Sequence, residues 1–285
     1  MTGAARGVAV VTDSTAYLPP DMVERHRLTV VPLQVVVGGR SLAEGVEVGS
    51  DEVARALREW RPVTTSRPSP QTFAEAYLAL EVPEIVSVHL SSDLSGTVDA
   101  ARVAAKQVAA QGVHVAVVDS RSLGMGLGFT ARAAAIAAGA GAGADEAARA
   151  ARRFATEVGI WLYVDTLEYL RRGGRIGAAA AMLGSALAVK PLLNLVDGRL
   201  EPLERVRTSS RALARLEELA VREAASRDVA VAVQHLAAAD RAREVADRLR
   251  ARLPRAREVH VGEVGAVVGA HVGPGMLGVV VAPAR

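Results

Sequence analysis

The sequence of residues 85–97 is Ile85-Val86-Ser87-Val88-His89-Leu90-Ser91-Ser92-Asp93-Leu94-Ser95-Gly96-Thr97, and an alanine-rich segment follows it. The apolar half is typical of a buried parallel strand, and the alanine-rich segment is typical of a helix. The hydroxyl groups between them meet unpaired backbone N–H groups at the positive end of that helix. One serine is enough to cap a helix, so this loop predicts a site for an anion. A serine-rich cap and turn is the alternative interpretation.

The rest of the first half repeats this strand, loop and helix unit. Predicted strands cover Val8–Val11, Thr29–Val37, Ile85–Leu90 and Val113–Val118, and predicted helices cover 51–60 and 70–80. Short apolar strands that alternate with helical segments predict a parallel, Rossmann-like α/β sheet. Ligands bind such sheets at the carboxyl ends of the strands, which is where the hydroxyl-rich loop would lie.

The second half has a different pattern. The dipeptide Asp197-Gly198 between the apolar segments 192–196 and 199–206 predicts a β-hairpin. Further strands are expected at 160–164, 229–234, 258–261 and 277–281, with helices at 166–172, 176–189, 210–226 and 238–253. A hairpin among alternating strands and helices predicts a mixed sheet. We therefore expect an α/β protein of two domains, residues 1–150 and 151–285, and leave open whether residues 62–72 belong spatially to the second.

Composition excludes several classes of function. The chain of 285 residues has 50% hydrophobic and 23% charged residues, which indicates a globular protein. The absence of cysteine excludes disulfides and thiolate metal sites, and no His, Asp or Glu cluster has metal-ligand spacing. A net charge of +3 with 3% aromatic residues argues against nucleic-acid binding. No targeting segment is visible, so the expected location is the cytoplasm.

A second hydroxyl-rich segment precedes the helix predicted at 70–80. Ser69 with Pro70 is good helix-start chemistry, but it does not account for Thr64, Thr65 and Ser66. The pairs Asp13-Ser14 and Asp119-Ser120 both end apolar strands. Such pairs usually cap and brace loops, so Asp13, Ser14, Ser69 and Asp119 are assigned supporting roles.

His271 lies among glycines and a proline, in the segment 268–275 before the last strand. We expect a rigid loop there, in which the backbone can approach a ligand closely and the imidazole offers a polar contact. A core histidine that bonds to a carbonyl is the alternative. His89 alternates with apolar neighbours and is interpreted as a structural histidine.

Three arginines, Arg175, Arg205 and Arg207, are not explained by the preference for positive charge at the C-terminus of a helix. Arg171 and Arg172 fit the C-terminus of a helix that ends in glycine, whereas Arg175 lies beyond the glycines. Arg205 and Arg207 lie on the predicted hairpin. We interpret Arg175, Arg205 and Arg207 as candidates for contact with a phosphate or an acidic partner.

Five motifs, taken in order along nearly the whole chain, resemble the DegV family of bacterial fatty-acid-binding proteins. They are Thr12-Asp13-Ser14, Thr65-Ser66-Arg67-Pro68-Ser69-Pro70, Ser91-Ser92-Asp93-Leu94-Ser95-Gly96-Thr97, the segment 166–176 with Arg171-Arg172-Gly173-Gly174-Arg175, and Gly269-Ala270-His271-Val272-Gly273-Pro274-Gly275. The sequence departs from the family pattern at Arg67, where a Gln is usual, and at Val98, where a Tyr is common.

The resemblance implies a two-domain protein that holds one long-chain fatty acid, with no further cofactor and no catalytic residue of its own. It implies that the carboxyl group is bound by Thr65 and Ser66, by Ser92 or Ser95 with Gly96, and by His271. It further implies that a separate fatty acid kinase of the dihydroxyacetone-kinase type phosphorylates the bound acid, and that Arg175 meets the phosphate or the kinase. A transient contact with a membrane surface fits this role.

Two other functions stay open from the residues alone. Ser92 or Ser95 with His271 as base is the arrangement of a hydrolase or phosphotransferase, although no carboxylate lies near His271 in sequence. The parallel sheet also fits a sensor of a small phosphorylated metabolite. A polar pocket favours the sensor, whereas a long apolar cavity favours the fatty acid.

Overall fold

The computed structural model describes residues 7–182 and 189–284. Its strands are β1 (Ala9–Asp13), β2 (Leu28–Val31), β3 (Gln34–Val37), β4 (Arg40–Ala43), β5 (Val63–Ser66), β6 (Glu84–His89), β7 (His114–Asp119), β8 (Gly159–Tyr163), β9 (Lys190–Val196), β10 (Arg199–Val206), β11 (Val229–His235), β12 (Ala256–Glu263) and β13 (Leu277–Pro283). Its α-helices are α1 (Pro20–Arg25), α2 (Ser50–Arg58), α3 (Pro70–Leu78), α4 (Thr97–Ala109), α5 (Met125–Gly139), α6 (Ala144–Ala155), α7 (Glu168–Arg172), α8 (Ser209–Ala224), α9 (Ala239–Arg252) and α10 (Ala266–Val272).

The first sheet is parallel and has the strand order β2-β1-β6-β7, as the alternation of strands and helices predicts. Val10 pairs with Val86, and Val86 pairs with Ala116, so apolar residues form the centre of the sheet. Helices α3 and α4 cover one face, and α5 and α6 cover the other. Because the strands are parallel, the loops after β1, β6 and β7 meet at one edge.

The second sheet is mixed, as predicted, with the order β10-β9-β8-β13-β11-β12. Only the β11–β12 pair among the described strands of this sheet is parallel. Helices α8 and α9 pack on one face through an apolar cluster around Leu216 and Val245. The other face packs against α5, and Phe129 belongs to one apolar cluster with Ile160 and Val280. Helix α5 therefore lies between the two sheets.

The prediction of one strand over Thr29–Val37 was wrong. The segment breaks at Pro32, so that β2 joins the parallel sheet and β3 joins a third, antiparallel sheet of order β4-β3-β5. Proline has no N–H for a strand ladder, which explains the break. The hydroxyl-rich segment before α3, which the pattern of residues 64–70 would place in a polar loop, is partly a strand, because β5 includes Thr65 and pairs it with Val35.

The hairpin of β9 and β10 is confirmed. Asp197 (φ 48°) and Gly198 (φ 81°) both have positive φ, as a two-residue turn of this kind requires. The Ser91 hydroxyl donates a hydrogen bond of 2.7 Å to the Gly198 carbonyl, and Arg199 pairs with Asp93 at 2.8 Å. The hairpin tip is thus fixed to the loop after β6.

Two local predictions in the second half differ from the structure. His271 lies in the last turn of α10 rather than in a loop, and the positive φ values of Gly273 and Gly275 follow the helix. The helix predicted over 176–189 begins as a 3-10 turn, Gly177–Met182, and its remainder at 183–188 lies outside the described residues. The predicted domain boundary after residue 150 falls inside α6, and the division into domains stays a prediction.

Candidate functional site

A cavity of about 70 Å³, partly open to solvent, lies between the parallel and the mixed sheets. Its polar lining residues are Thr65, Ser66, Arg67, Ser95, Arg175 and His271. Its apolar lining residues are Leu33, Leu90, Leu94, Leu123, Leu162, Leu170, Leu200, Val267, Val268 and Val272. Such a set suits a ligand with a long apolar part and one polar group. Among the described residues, no Asp or Glu lines the cavity.

Thr65 and His271 form the centre of the polar lining. The Thr65 Oγ1 and His271 Nε2 atoms are 2.8 Å apart, although 206 positions separate them in the sequence. Strand β5 supplies the threonine and α10 supplies the histidine, and the two elements pack against each other. The Nδ1 atom of His271 is buried and has no hydrogen-bond partner among the described residues. It lies against Gly173, where an added Cβ would overlap the ring.

Burial and, to a smaller extent, the positive charge of Arg175 together lower the pKa of His271 to about 4. The imidazole is therefore neutral near neutral pH. We assign its proton to Nε2, because a proton on Nδ1 would be a buried donor without an acceptor. Nε2 then donates to Thr65, and the Thr65 hydroxyl keeps its own proton for a ligand in the cavity.

Arg175 connects two backbone segments of the site. Its Nε donates to the Leu94 carbonyl at 3.1 Å, and its Nη1 donates to the Gly173 carbonyl at 2.6 Å. Leu94 precedes Ser95, and Gly173 lies against His271. Arg175 thus joins the segment before Ser95 to the glycine that lies against His271. We call the six polar lining residues the polar patch of the cavity.

The two candidate serines of the loop after β6 have different surroundings. Ser95 lines the cavity, and its hydroxyl lies 2.9 Å from that of Thr97. Ser92 is exposed and donates to Asp119 Oδ2 at 2.5 Å. The structure therefore brings Ser95, and not Ser92, to the cavity. Gly96 lies under the guanidinium of Arg67, which an added Cβ at position 96 would overlap.

The predicted supporting residues hold the loops around the cavity. Asp13 is fully buried, and its Oδ2 accepts from the Leu90 N–H and from His89 Nδ1, each at 3.0 Å. Asp119 Oδ1 accepts from the Arg121 N–H at 2.8 Å, and Ser69 caps α3 through the Thr72 N–H at 3.0 Å.

Ser14, a predicted supporting residue, forms a cluster with Tyr17 and Glu44 that sequence reasoning missed. Glu44 Oε1 accepts from the Val267 N–H at 2.7 Å and from the Tyr17 hydroxyl at 2.9 Å, and Ser14 donates to Oε2. The Tyr17 hydroxyl in turn accepts from the Val268 N–H at 3.1 Å. Burial raises the pKa of Glu44. The cluster fixes the first turn of α10, the helix that carries His271.

Arg205 and Arg207 are exposed and do not line the cavity. The Nη2 of Arg205 donates to the Ala181 carbonyl at 2.7 Å. The structure therefore separates the two hairpin arginines from Arg175, which lines the cavity.

The described residues contain one Ser-His-Asp arrangement, Ser87-His89-Asp13, and it is inaccessible. Ser87 Oγ lies 2.7 Å from His89 Nε2 and 2.8 Å from the Tyr77 hydroxyl, and Ser87, His89 and Asp13 are all 0% exposed. This arrangement is a buried support for β1 and β6. His271 has no carboxylate partner among the described residues, so the geometry of a hydrolase triad is not formed there.

Two further features bear on function. Within residues 7–182 and 189–284, no helix combines the length and the apolar character needed to cross a bilayer. In the same part of the chain, no group of three or more His, Asp or Glu side chains is arranged to hold a metal ion.

Comparison with known proteins connects this cavity to a family. A DegV domain-containing protein of Streptomyces coelicolor is 58% identical over 97% of this chain and 99% of its own length. A DegV family protein from Thermus thermophilus, described for its fatty acid binding, has a TM-score of 0.91 and 33% identity, over 98% of this chain and 100% of its own. DegV from Bacillus subtilis, described as a fatty acid binding protein, has a TM-score of 0.88 and 32% identity, over 98% of this chain and 99% of its own.

The family model for uncharacterised proteins of the DegV family matches residues 7–284, which is nearly the whole chain. The match includes all three sheets and every polar residue that lines the cavity. The chain belongs to the DegV family.

Proposed function

We propose that this protein binds one long-chain fatty acid and acts as a carrier without catalytic turnover of its own. The observation that carries the proposal is the Thr65–His271 pair at the polar patch of an otherwise apolar cavity. Two relatives that share the fold over 98% of this chain are described as fatty acid binding. An apolar cavity of this kind disfavours the sensor of a small phosphorylated metabolite.

The carboxyl group is bound by hydroxyl donors. Since His271 Nε2 donates to the Thr65 hydroxyl oxygen, the proton of the Thr65 hydroxyl is free to bond to the carboxylate. Ser66 and Ser95 offer two further hydroxyls in the cavity lining. The N–H of Gly96, at the start of α4, completes the set. Of the two candidate serines, we assign the carboxyl contact to Ser95, because the Ser92 hydroxyl is bound to Asp119.

The energetics favour such a ligand. Burial of about fourteen methylenes at ~0.8 kcal/mol each gives roughly 11 kcal/mol, before the entropy of association is subtracted. Each hydrogen bond to the carboxylate adds about 1.5 to 3 kcal/mol. The acyl chain thus supplies most of the affinity, and the polar patch supplies the orientation.

Three single variants test the carboxyl site. Thr65→Val and Ser95→Ala should each weaken binding of palmitate to delipidated protein by about tenfold, the equivalent of one lost hydrogen bond. Ser92→Ala is the matched control, since it changes the same loop outside the cavity, and its affinity should equal that of the wild type. Native mass spectrometry of a palmitate titration measures all three. An effect of Ser92→Ala equal to that of Ser95→Ala would refute the assignment.

We further propose that the bound acid is presented to a separate fatty acid kinase, which transfers a phosphoryl group to the carboxylate. The support is Arg175, a guanidinium at the cavity that suits the product phosphate. Arg205 and Arg207 are exposed and would face the kinase. Arg205→Ala and Arg207→Ala should leave palmitate affinity unchanged and slow acyl phosphate formation. Loss of palmitate affinity in these two variants would contradict a role in facing the kinase.

A further inference from the structure

Arg67 is a second arginine at the polar patch of the cavity. It is exposed, and its side chain lies across the Cα of Gly96, where any added Cβ would overlap Nη1. In the part of the chain that the structure describes, Arg67 has neither an ion pair nor a hydrogen bond. Its guanidinium is therefore available to a ligand at the cavity mouth.

The charges around the cavity are unbalanced. Arg67 and Arg175 line it, His271 is neutral, and none of the described lining residues is acidic. The acidic side chains of the adjoining loop are held elsewhere, Asp93 by Arg199 and Asp119 by Ser92. The thirteen-residue helix α4 begins next to Gly96 and adds its partial positive charge. A carboxylate, with one negative charge, thus meets two fixed positive charges.

We propose that Arg67 is a specificity-determining residue that pairs with the ligand's anionic group and makes the cavity prefer a doubly charged phosphate head over a carboxylate. The inference rests on the proposed function, because it takes the acyl chain to lie in the same cavity. A guanidinium presents its donors in a planar fork that matches two phosphate oxygens, and its attraction grows with the charge of the head group. Gly96, which has no Cβ, leaves the space that the Arg67 side chain occupies beside the site.

The test compares two probes with the same chain length, palmitate and hexadecyl phosphate, at pH 8. Arg67→Gln should weaken binding of hexadecyl phosphate by about tenfold and binding of palmitate by about threefold or less, since the phosphate has the larger charge at that pH. Arg67→Lys keeps the positive charge without the planar fork of donors, and it should recover part of the affinity for hexadecyl phosphate that Arg67→Gln loses. Arg61→Gln is the control for surface charge, because Arg61 is an exposed arginine six positions before Arg67 that does not line the cavity.

The outcomes separate the inference from the proposed function. Equal changes for both probes in Arg67→Gln, or no change in either, would overturn the role of Arg67 while fatty acid binding stands. Failure of the wild-type protein to bind either probe would overturn both. If Arg61→Gln also weakened binding of hexadecyl phosphate more than binding of palmitate, the effect would be one of general surface charge, and the inference would be overturned.

Discussion

At the scale of single residues, the site depends on a histidine that stays neutral. Burial lowers the pKa of His271 to about 4, whereas an unfolded chain protonates histidine near pH 6.5. Between these values the unfolded state binds the additional proton. The stability contribution of His271 therefore decreases as the pH falls from 6.5 towards 4.

His271→Gln removes the contribution of this histidine to the pH dependence of stability. The free energy of unfolding of the wild type should fall between pH 7.5 and pH 4.5 by roughly 2 kcal/mol more than that of the variant. The raised pKa of Glu44 acts in the opposite direction, but it is common to both proteins and cancels in the comparison. Urea unfolding at the two pH values measures the difference. Parallel loss of stability in both proteins would show that His271 titrates normally.

At the scale of elements, the position of α10 decides whether His271 reaches Thr65. The Tyr17 hydroxyl donates to Glu44 and accepts from the Val268 N–H. Tyr17→Phe should destabilise the protein by about 1 to 3 kcal/mol, because buried partners lose a hydrogen bond. It should also weaken palmitate binding, since α10 loses a fixed start.

Tyr77→Phe is the matched control for this prediction. It removes another buried hydroxyl, which bonds to Ser87 in the first sheet and has no hydrogen bond to α10 among the described residues. Its stability should fall by a similar amount while its palmitate affinity stays unchanged. Chemical denaturation and a palmitate titration of both variants provide the comparison. An unchanged palmitate affinity in Tyr17→Phe would contradict the positioning role of the cluster.

The elements that the sequence predicted well are those with local causes. The parallel sheet follows from apolar strands in alternation with helices, and the hairpin follows from Asp197-Gly198. The third sheet was missed because its three strands are short and pair in a pattern that only the fold creates. Helix α10 was missed because glycines surround His271 and suggest a loop.

The candidate site was predictable in its residue types but not in its contacts. The loops of Thr65 and Ser95 were predicted as binding sites because each has more hydroxyl side chains before its helix than a helix cap needs. The choice between Ser92 and Ser95 depends on Asp119, which lies on the next strand. Glu44 reaches Val267 across 223 positions, and no local pattern marks such a contact.

At the scale of the whole molecule, the cavity is lined by residues on or next to strands of all three sheets, with Thr65 from the third sheet. Leu90 follows a strand of the parallel sheet, Leu162 and Leu200 lie on the mixed sheet, and the hairpin tip at Gly198 joins the two through Ser91. A ligand held between them should stabilise both. Palmitate at a free concentration of one hundred times its Kd should add about 2.7 kcal/mol to the free energy of unfolding.

Hydrogen exchange shows where this stabilisation acts. Amides in β6 and in β8 should both gain protection on palmitate binding, since Leu90 directly follows β6, Leu162 lies within β8, and both line the cavity. Protection confined to one sheet would contradict a ligand that lies between them.

The most direct test of fatty acid binding is mass spectrometry of what the protein retains. Delipidated wild-type protein would be incubated with palmitate, desalted, denatured and extracted with organic solvent, next to the Thr65→Val variant and an unrelated protein of similar size. We expect about one palmitate per wild-type chain, substantially less in Thr65→Val and none in the unrelated protein. An extract of the wild type without palmitate would contradict the account.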